Sequence, residues 1–162
     1  MDKLPLVVVG VLALCFGALA FFTRSVVTEE SHKRDLACLA LNVYHEARGE
    51  PLVGQYAVAE VTMNRVNSAR YPDTVCEVVY QKNWDPLRGR YVGAFSWTEF
   101  DSVPRPEGEA WQQAMTIAQT MYYGKVPPML KGALHYHAVY IKPSWAKGKR
   151  TIARIGKHIF YP

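Results

Sequence analysis

The sequence predicts an α+β domain with a mainly helical body and small antiparallel strands, preceded by one membrane-crossing helix. Three observations predict it. Leu4 to Phe22 is an uninterrupted, uncharged apolar run. Apolar residues then recur at helical spacing in segments between His32 and Tyr123, and from Ala133 the pattern switches to strand-like alternation.

The apolar run is close to the roughly 20 residues a helix needs to cross the hydrocarbon core. Lys3 and Arg24 bracket it. A cleaved signal peptide has an apolar core of about 7 to 15 residues and a small-residue cleavage site, whereas this run ends Ala20-Phe-Phe-Thr-Arg24. Residues 1–24 therefore read as an uncleaved anchor. Leu12-Ala-Leu-Cys15 fits a lipoprotein box poorly, because a bulky Leu directly precedes the cysteine. Gly10, Ala13, Gly17, Ala18 and Ala20 make the segment only moderately apolar, which suits a helix that packs on another or one that can leave the bilayer. Lys3 and the terminal amine lie on one side of it and Arg24, Lys33 and Arg34 on the other, so the positive-inside count does not favour exporting the C-terminal domain.

Residues 25–35 form a polar linker and the start of the first helix of a single domain, residues 36–162. Ser31 can cap a helix over His32–Ala47, with Leu36, Leu39, Ala40 and Val43 facing a core. Glu46 lies three, four and seven residues after Val43, Asn42 and Leu39, so at about 100° per residue it shares their face. It should point inward. Burial disfavours the charged form of a carboxyl and keeps its proton on nearer neutral pH, the state a general acid requires. Gly49 and Pro51 end this helix and open a second over Pro51–Asn67, with Val53, Ala57, Val58, Val61 and Thr62 at helical spacing. The two make a helical hairpin. Tyr71-Pro-Asp is a turn, and Thr74-Val-Cys-Glu77 is a capping box that opens a short helix to Tyr80. From Gln81 to Pro106 periodicity is lost and aromatics gather, as in a loop lining a cleft. Glu107–Tyr123 regains helical spacing through Trp111, Met115 and Ala118, and Gly124 with Pro127-Pro128 stops it. Ala133–Ile141 and Thr151–Tyr161 read as strands, the second turning at Gly156-Lys157.

The 162 residues suffice for one hydrophobic core, and 49% hydrophobic with 20% charged residues is ordinary globular composition. A formal charge of +5 and a pI near 9.1 suit an anionic partner, with cell wall, membrane surface and nucleic acid all eligible. Nucleic acid is disfavoured: the chain has no block of consecutive Lys and Arg, no zinc-finger spacing and no basic helical stripe. Of three cysteines, Cys15 falls in the anchor, so Cys38 and Cys76 either pair, if the domain is exported, or remain two buried thiols.

The run Tyr44-His-Glu-Ala-Arg-Gly-Glu50-Pro, followed by Gly54-Gln55, Ala57-Val-Ala59 and Asn64-Arg-Val66, resembles the signature of the SleB-type (spore-cortex-lytic) cell-wall hydrolases. Phe95-Ser-Trp97, Trp145-Ala146 and Ile155-Gly-Lys-His-Ile-Phe-Tyr161 resemble further family segments in the same order, so the resemblance covers about residues 36 to 161. It implies a lysozyme-like fold. It also implies peptidoglycan glycan strands as substrate, and hence a periplasmic or wall-facing domain on a cytoplasmic-membrane anchor.

Cleaving the β-1,4 bond between N-acetylmuramic acid and N-acetylglucosamine requires a proton at the bridging oxygen, and Glu46 is the expected donor. Ordinary hydrolysis adds a second carboxylate; Glu50, Glu60, Asp85, Glu99 and Asp101 are available, but no spacing nominates one. In a lytic transglycosylase one Glu suffices, since after giving up its proton it can act as base toward the sugar's own 6-hydroxyl. The resemblance implies this route, ahead of a hydrolytic muramidase, a phage signal-arrest-release endolysin or a non-catalytic wall-binding scaffold. Sugar rings present apolar faces, which nominates Phe95, Trp97, Tyr136 and Trp84 for stacking and Gln55 and Ser96 for polar contacts. Tyr44 and Arg48 flank Glu46 and are expected to orient it. No cofactor or metal is expected. His45-Glu46 lacks the second His that zinc-protease spacing requires, and no third ligand accompanies His135 and His137. Neither Cys38 nor Cys76 lies in a nucleophile motif.

Overall fold

The computed structural model describes residues 4–162 and, within the first helix, the side chains of Thr23 and of Val26 onward. Its elements are α1 (Leu4–Ala47), α2 (Leu52–Val66), α3 (Val75–Val79), β1 (Lys82–Asp85), β2 (Arg90–Gly93), α4 (Gly108–Tyr122), β3 (His135–Ala138), β4 (Ala153–Ile155) and β5 (His158–Tyr161), with short 3-10 turns at Ser96–Glu99 and Ser144–Ala146. The chain divides into two units, Met1–Arg34 and Asp35–Pro162.

In the first unit, α1 does not begin at Ser31 as the sequence suggested. Nothing from Thr23 to Ser31 breaks a helix, and Glu29 pairs with Lys33 one turn on at 2.9 Å. Among the described residues no helix is long and apolar enough to cross a membrane, and the side chains of Leu4 to Phe22, on which the anchor expectation falls, lie outside the described residues.

The second unit is helices plus two small antiparallel sheets. Leu39, Ala40 and Val43 on α1 are buried with Ala59 of α2, Val75, Val78 and Val79 around α3, and Ala114, Ile117 and Ala118 of α4. The small residues of α2 allow close approach on two sides. Ala57 and Val61 form a second cluster with Leu130, Ala133 and Phe160, beneath a sheet of order β3-β5-β4. Val53, expected on the buried face, is exposed on the first turn of α2.

α3 starts where predicted. The Thr74 hydroxyl accepts from the Glu77 amide at 3.3 Å and donates to the Glu77 carboxylate at 2.8 Å, and Asp35 accepts from the Cys76 amide at 3.0 Å. Cys38 and Cys76 form a disulfide, Cα atoms 5.2 Å apart, joining α1 to α3. The segment read as loop contains the β1–β2 hairpin, whose strands are largely exposed and so carry no apolar alternation to reveal them. The predicted strands are shorter than expected, β5 pairing with β3 and β4, and Gly156 makes the β4–β5 turn at φ +55. A Cβ at Gly156 would run into the Glu50 carboxylate, which accepts from the Lys157 amide at 2.8 Å.

Candidate active site

Glu46 sits in the last turn of α1, half-buried, and its Oε2 accepts a 2.9 Å hydrogen bond from the hydroxyl of Tyr136, ninety residues away on β3. Burial pushes the Glu46 carboxyl above its usual range, while the Tyr136 bond and the charge of Arg65 pull the other way. Burial also raises the Tyr136 phenol far above its ordinary value, helped by the Glu46 charge, so the hydroxyl remains a donor. The carboxyl can thus hold a proton longer than an exposed Glu and still find a donor and a positive charge nearby once it ionises.

The end of α2 aims β3 at this carboxyl. Asn64 donates to the carbonyls of Leu130 and Ala133 at 3.2 and 3.0 Å, and Arg65 Nε donates to that of Leu134 at 2.9 Å. Three backbone acceptors just before β3 are satisfied, which fixes where His135 and Tyr136 emerge. The Arg65 guanidinium lies 4.9 Å from the Phe95 ring centre and 5.4 Å from that of Tyr71. Burial lowers the Arg65 pKa from its ordinary value, opposed by Tyr71, Tyr136 and Glu46. Arg65, Tyr71, Asn83, His135, Tyr136 and Trp145 help line an open cleft of about 460 Å³. Gly93 belongs to the same wall, and a Cβ there would collide with the Thr98 hydroxyl.

Of the residues singled out from sequence, Glu46 and Tyr136 come together. Tyr44 is buried against Trp111, ring centres 6.1 Å apart, with the exposed Arg48 guanidinium 4.7 Å above its ring. Neither bonds to Glu46. Phe95 and Trp97 correct the expectation that they face the cleft: they are 2% and 8% exposed. The indole N–H of Trp97 donates to Asn42 at 2.9 Å, the Asn42 amide donates to Thr62 at 3.0 Å, and the His45 ring stacks on the indole at 4.6 Å. An indole that finds an acceptor on the buried side of α1 has no reason to stay in a loop. Gln55 is buried too, its amide donating to the Glu50 carbonyl at 3.0 Å, whereas Ser96 is exposed at the start of a 3-10 turn. Trp84 is exposed and packs edge-on against Tyr91.

Of the acidic side chains available as a second carboxylate, all but Asp101 are engaged elsewhere. Glu60 accepts from the amides of Met129 and Leu130 at 2.9 and 2.7 Å, and Asp85 from those of Leu87 and Arg88 at 2.9 and 3.2 Å. Glu99 pairs with Arg90 at 2.8 Å, and Glu50 holds the Lys157 amide; Asp101 is exposed. His135 and His137 do share a strand face, both with ring centres 5.6 Å from Trp145. Both His137 nitrogens already have partners, the Ala138 carbonyl and the Tyr161 hydroxyl, each at 2.9 Å. Among the described residues no group of three or more His, Cys, Asp or Glu is placed to hold a metal.

Among the cleft residues that sequence reasoning did not nominate are Arg65, Tyr71 and Asn83, and His135 was weighed only as a metal ligand. Arg65 stands inside the Asn64-Arg-Val66 run, but at helical spacing it reads only as a charge on α2.

Residues 49–161 match the sequence model of a family described as Cell Wall Hydrolase; the match begins three residues after Glu46. The chain is 37% identical over 127 residues to the spore cortex-lytic enzyme of Halalkalibacterium halodurans, covering 78% of this chain and 34% of that protein. It is 32% identical over 126 residues to the spore cortex-lytic enzyme of Bacillus subtilis, covering 78% and 37%. It thus spans little more than a third of the length of these curated relatives. Among solved structures, the catalytic domain of the Bacillus cereus SleB protein superposes with a TM-score of 0.60 at 31% identity, covering 80% of this chain and 91% of that one. The catalytic domain of a germination-specific lytic transglycosylase SleB from Bacillus anthracis gives 0.55 at 31% identity, covering 79% and 93%.

Proposed function

The chain belongs to the cell wall hydrolase family, and from that premise we propose that it is an enzyme that cleaves the β-1,4 bond between N-acetylmuramic acid and N-acetylglucosamine in peptidoglycan, with Glu46 as its single catalytic carboxyl. The observation that carries the proposal is the Tyr136–Glu46 hydrogen bond beside the cleft, on a carboxyl that burial keeps protonated beyond the usual range. Glu46 gives its proton to the bridging oxygen as the glycosidic bond breaks. The resulting carboxylate, held by the Tyr136 hydroxyl and close to Arg65, then takes the proton of the sugar's own 6-hydroxyl as that oxygen closes on the anomeric carbon. The proton returns to Glu46, and a 1,6-anhydro end is left without consumption of water.

The lytic transglycosylase route is favoured over hydrolysis because the other acidic side chains considered are bound to backbone amides, paired or exposed elsewhere. Mass spectrometry of fragments released from purified sacculi tests it. Anhydro ends, each one water lighter than the hydrolytic product, are expected; fragments with only reducing ends would assign the enzyme as a muramidase.

We also place the domain outside the cytoplasmic membrane, tethered by Leu4 to Phe22. The disulfide between Cys38 and Cys76 supports an oxidising compartment. Protease added to spheroplasts should digest the domain, and protection until permeabilisation would refute that location.

A further inference from the structure

From Ala110 to Pro162 the chain contains no Asp or Glu but eight Lys and Arg, all of them exposed. Part of this excess reaches the cleft. Trp145, 40% exposed on the cleft wall, stands beside His135 with ring centres 5.6 Å apart, and Lys149 Nζ lies 5.4 Å from the centre of the Trp145 ring. An ammonium over an indole face is held by cation–π attraction, so Lys149 is kept at the cleft rim. Among the described residues it forms no ion pair. Burial, then the charges of Arg65, Lys149 and Arg70, depress the His135 pKa to about 4, so His135 stays neutral at neutral pH.

We propose that Lys149, steadied by Trp145 beside His135 and Arg65, is a specificity-determining residue that binds a carboxylate carried by the muramoyl units of the glycan strand. Neutral strands are then the poorer substrates. The proposal rests on the peptidoglycan reading and deepens it. Such a carboxylate has two sources, the peptide stem or the muramoyl group itself once the stem is removed. Either supplies an anion to pair with Lys149.

The test compares strands carrying stems, strands stripped of stems, and each after its carboxylates have been converted to amides with carbodiimide and ammonia. For the wild type, amidation should raise KM about three- to ten-fold with little change in kcat, on whichever strand supplies the carboxylate. Lys149→Gln should show the raised KM on the untreated strand and no further rise on the amidated one, and Lys149→Arg should restore it. Because Lys149 is exposed, these variants should fold. An unaltered KM in Lys149→Gln, or an equal response to amidation in wild type and variant, overturns the subsite. A second readout does not need turnover: Glu46→Gln should sediment with untreated sacculi more strongly than with amidated ones. Loss of that preference in Glu46→Gln/Lys149→Gln supports the subsite, and an unchanged preference overturns it. Wild type that turns over no strand at all removes the peptidoglycan reading instead, a result distinct from either.

Discussion

Tyr136→Phe removes one hydroxyl and leaves the ring, so it isolates the 2.9 Å hydrogen bond to Glu46. A hydrogen bond to a charged group is worth about 1.5–3 kcal/mol, and each 1.4 kcal/mol is about tenfold in rate. Glu46 becomes charged only as it gives up its proton. The bond therefore strengthens toward the transition state, and its loss should lower kcat by about 10- to 100-fold while KM changes little. The same bond favours the carboxylate. Without it Glu46 holds its proton to still higher pH, so the alkaline limb of the rate profile should move upward. Turnover of solubilised glycan strands across pH, on protein whose melting shows it folded, measures both effects. A variant within two-fold of wild type with an unmoved limb would refute the idea that Tyr136 supports the ionised carboxyl. A lower kcat with an unmoved limb would reduce Tyr136 to a packing role.

Three further outcomes are expected. Trp97→Ala should destabilise by about 3–5 kcal/mol, through the cavity and the loss of the buried Asn42 contact, without a selective rise in KM; a raised KM at unchanged stability would return Trp97 to the cleft. Reducing the Cys38–Cys76 bridge, which closes a separation of 38 residues, should cost about 4 kcal/mol in denaturant unfolding, and an unchanged midpoint would contradict that role. The folded-state pKa of Glu46 is raised, so the folded protein binds more protons than the unfolded chain as pH climbs from 4.5 through that raised value, and stability falls over this window. Glu46→Gln should therefore gain more in melting temperature at pH 7 than at pH 4, while equal gains would mean the carboxyl is not strained by burial.

How much of this was legible in sequence depends on whether a residue's role is local. Glu46 could be placed on the inner face of α1 by helical arithmetic alone, because Leu39, Asn42 and Val43 are its neighbours along the same helix. Thr74 and Glu77 likewise announced their cap within four residues. Tyr136 was named for its ring, yet its bond to Glu46 is made by its hydroxyl, across ninety residues that no spacing rule spans. Trp97 was misjudged for the related reason that its acceptor, Asn42, lies 55 residues earlier. The β1–β2 hairpin escaped because exposed strands need no apolar alternation. Arg65 escaped because its value lies in joining α2 to the Leu134 carbonyl and the cleft, a tertiary fact.

The central claim is that one carboxyl, Glu46, performs the chemistry. Glu46→Gln is nearly isosteric, and its side-chain oxygen can still accept from Tyr136, but it has no acid proton to give. Release of soluble muropeptides from purified sacculi by the folded variant should fall by on the order of 10²- to 10⁴-fold, the usual contribution of general acid–base catalysis. Activity within a few-fold of wild type would contradict the account and move the catalytic proton to another side chain.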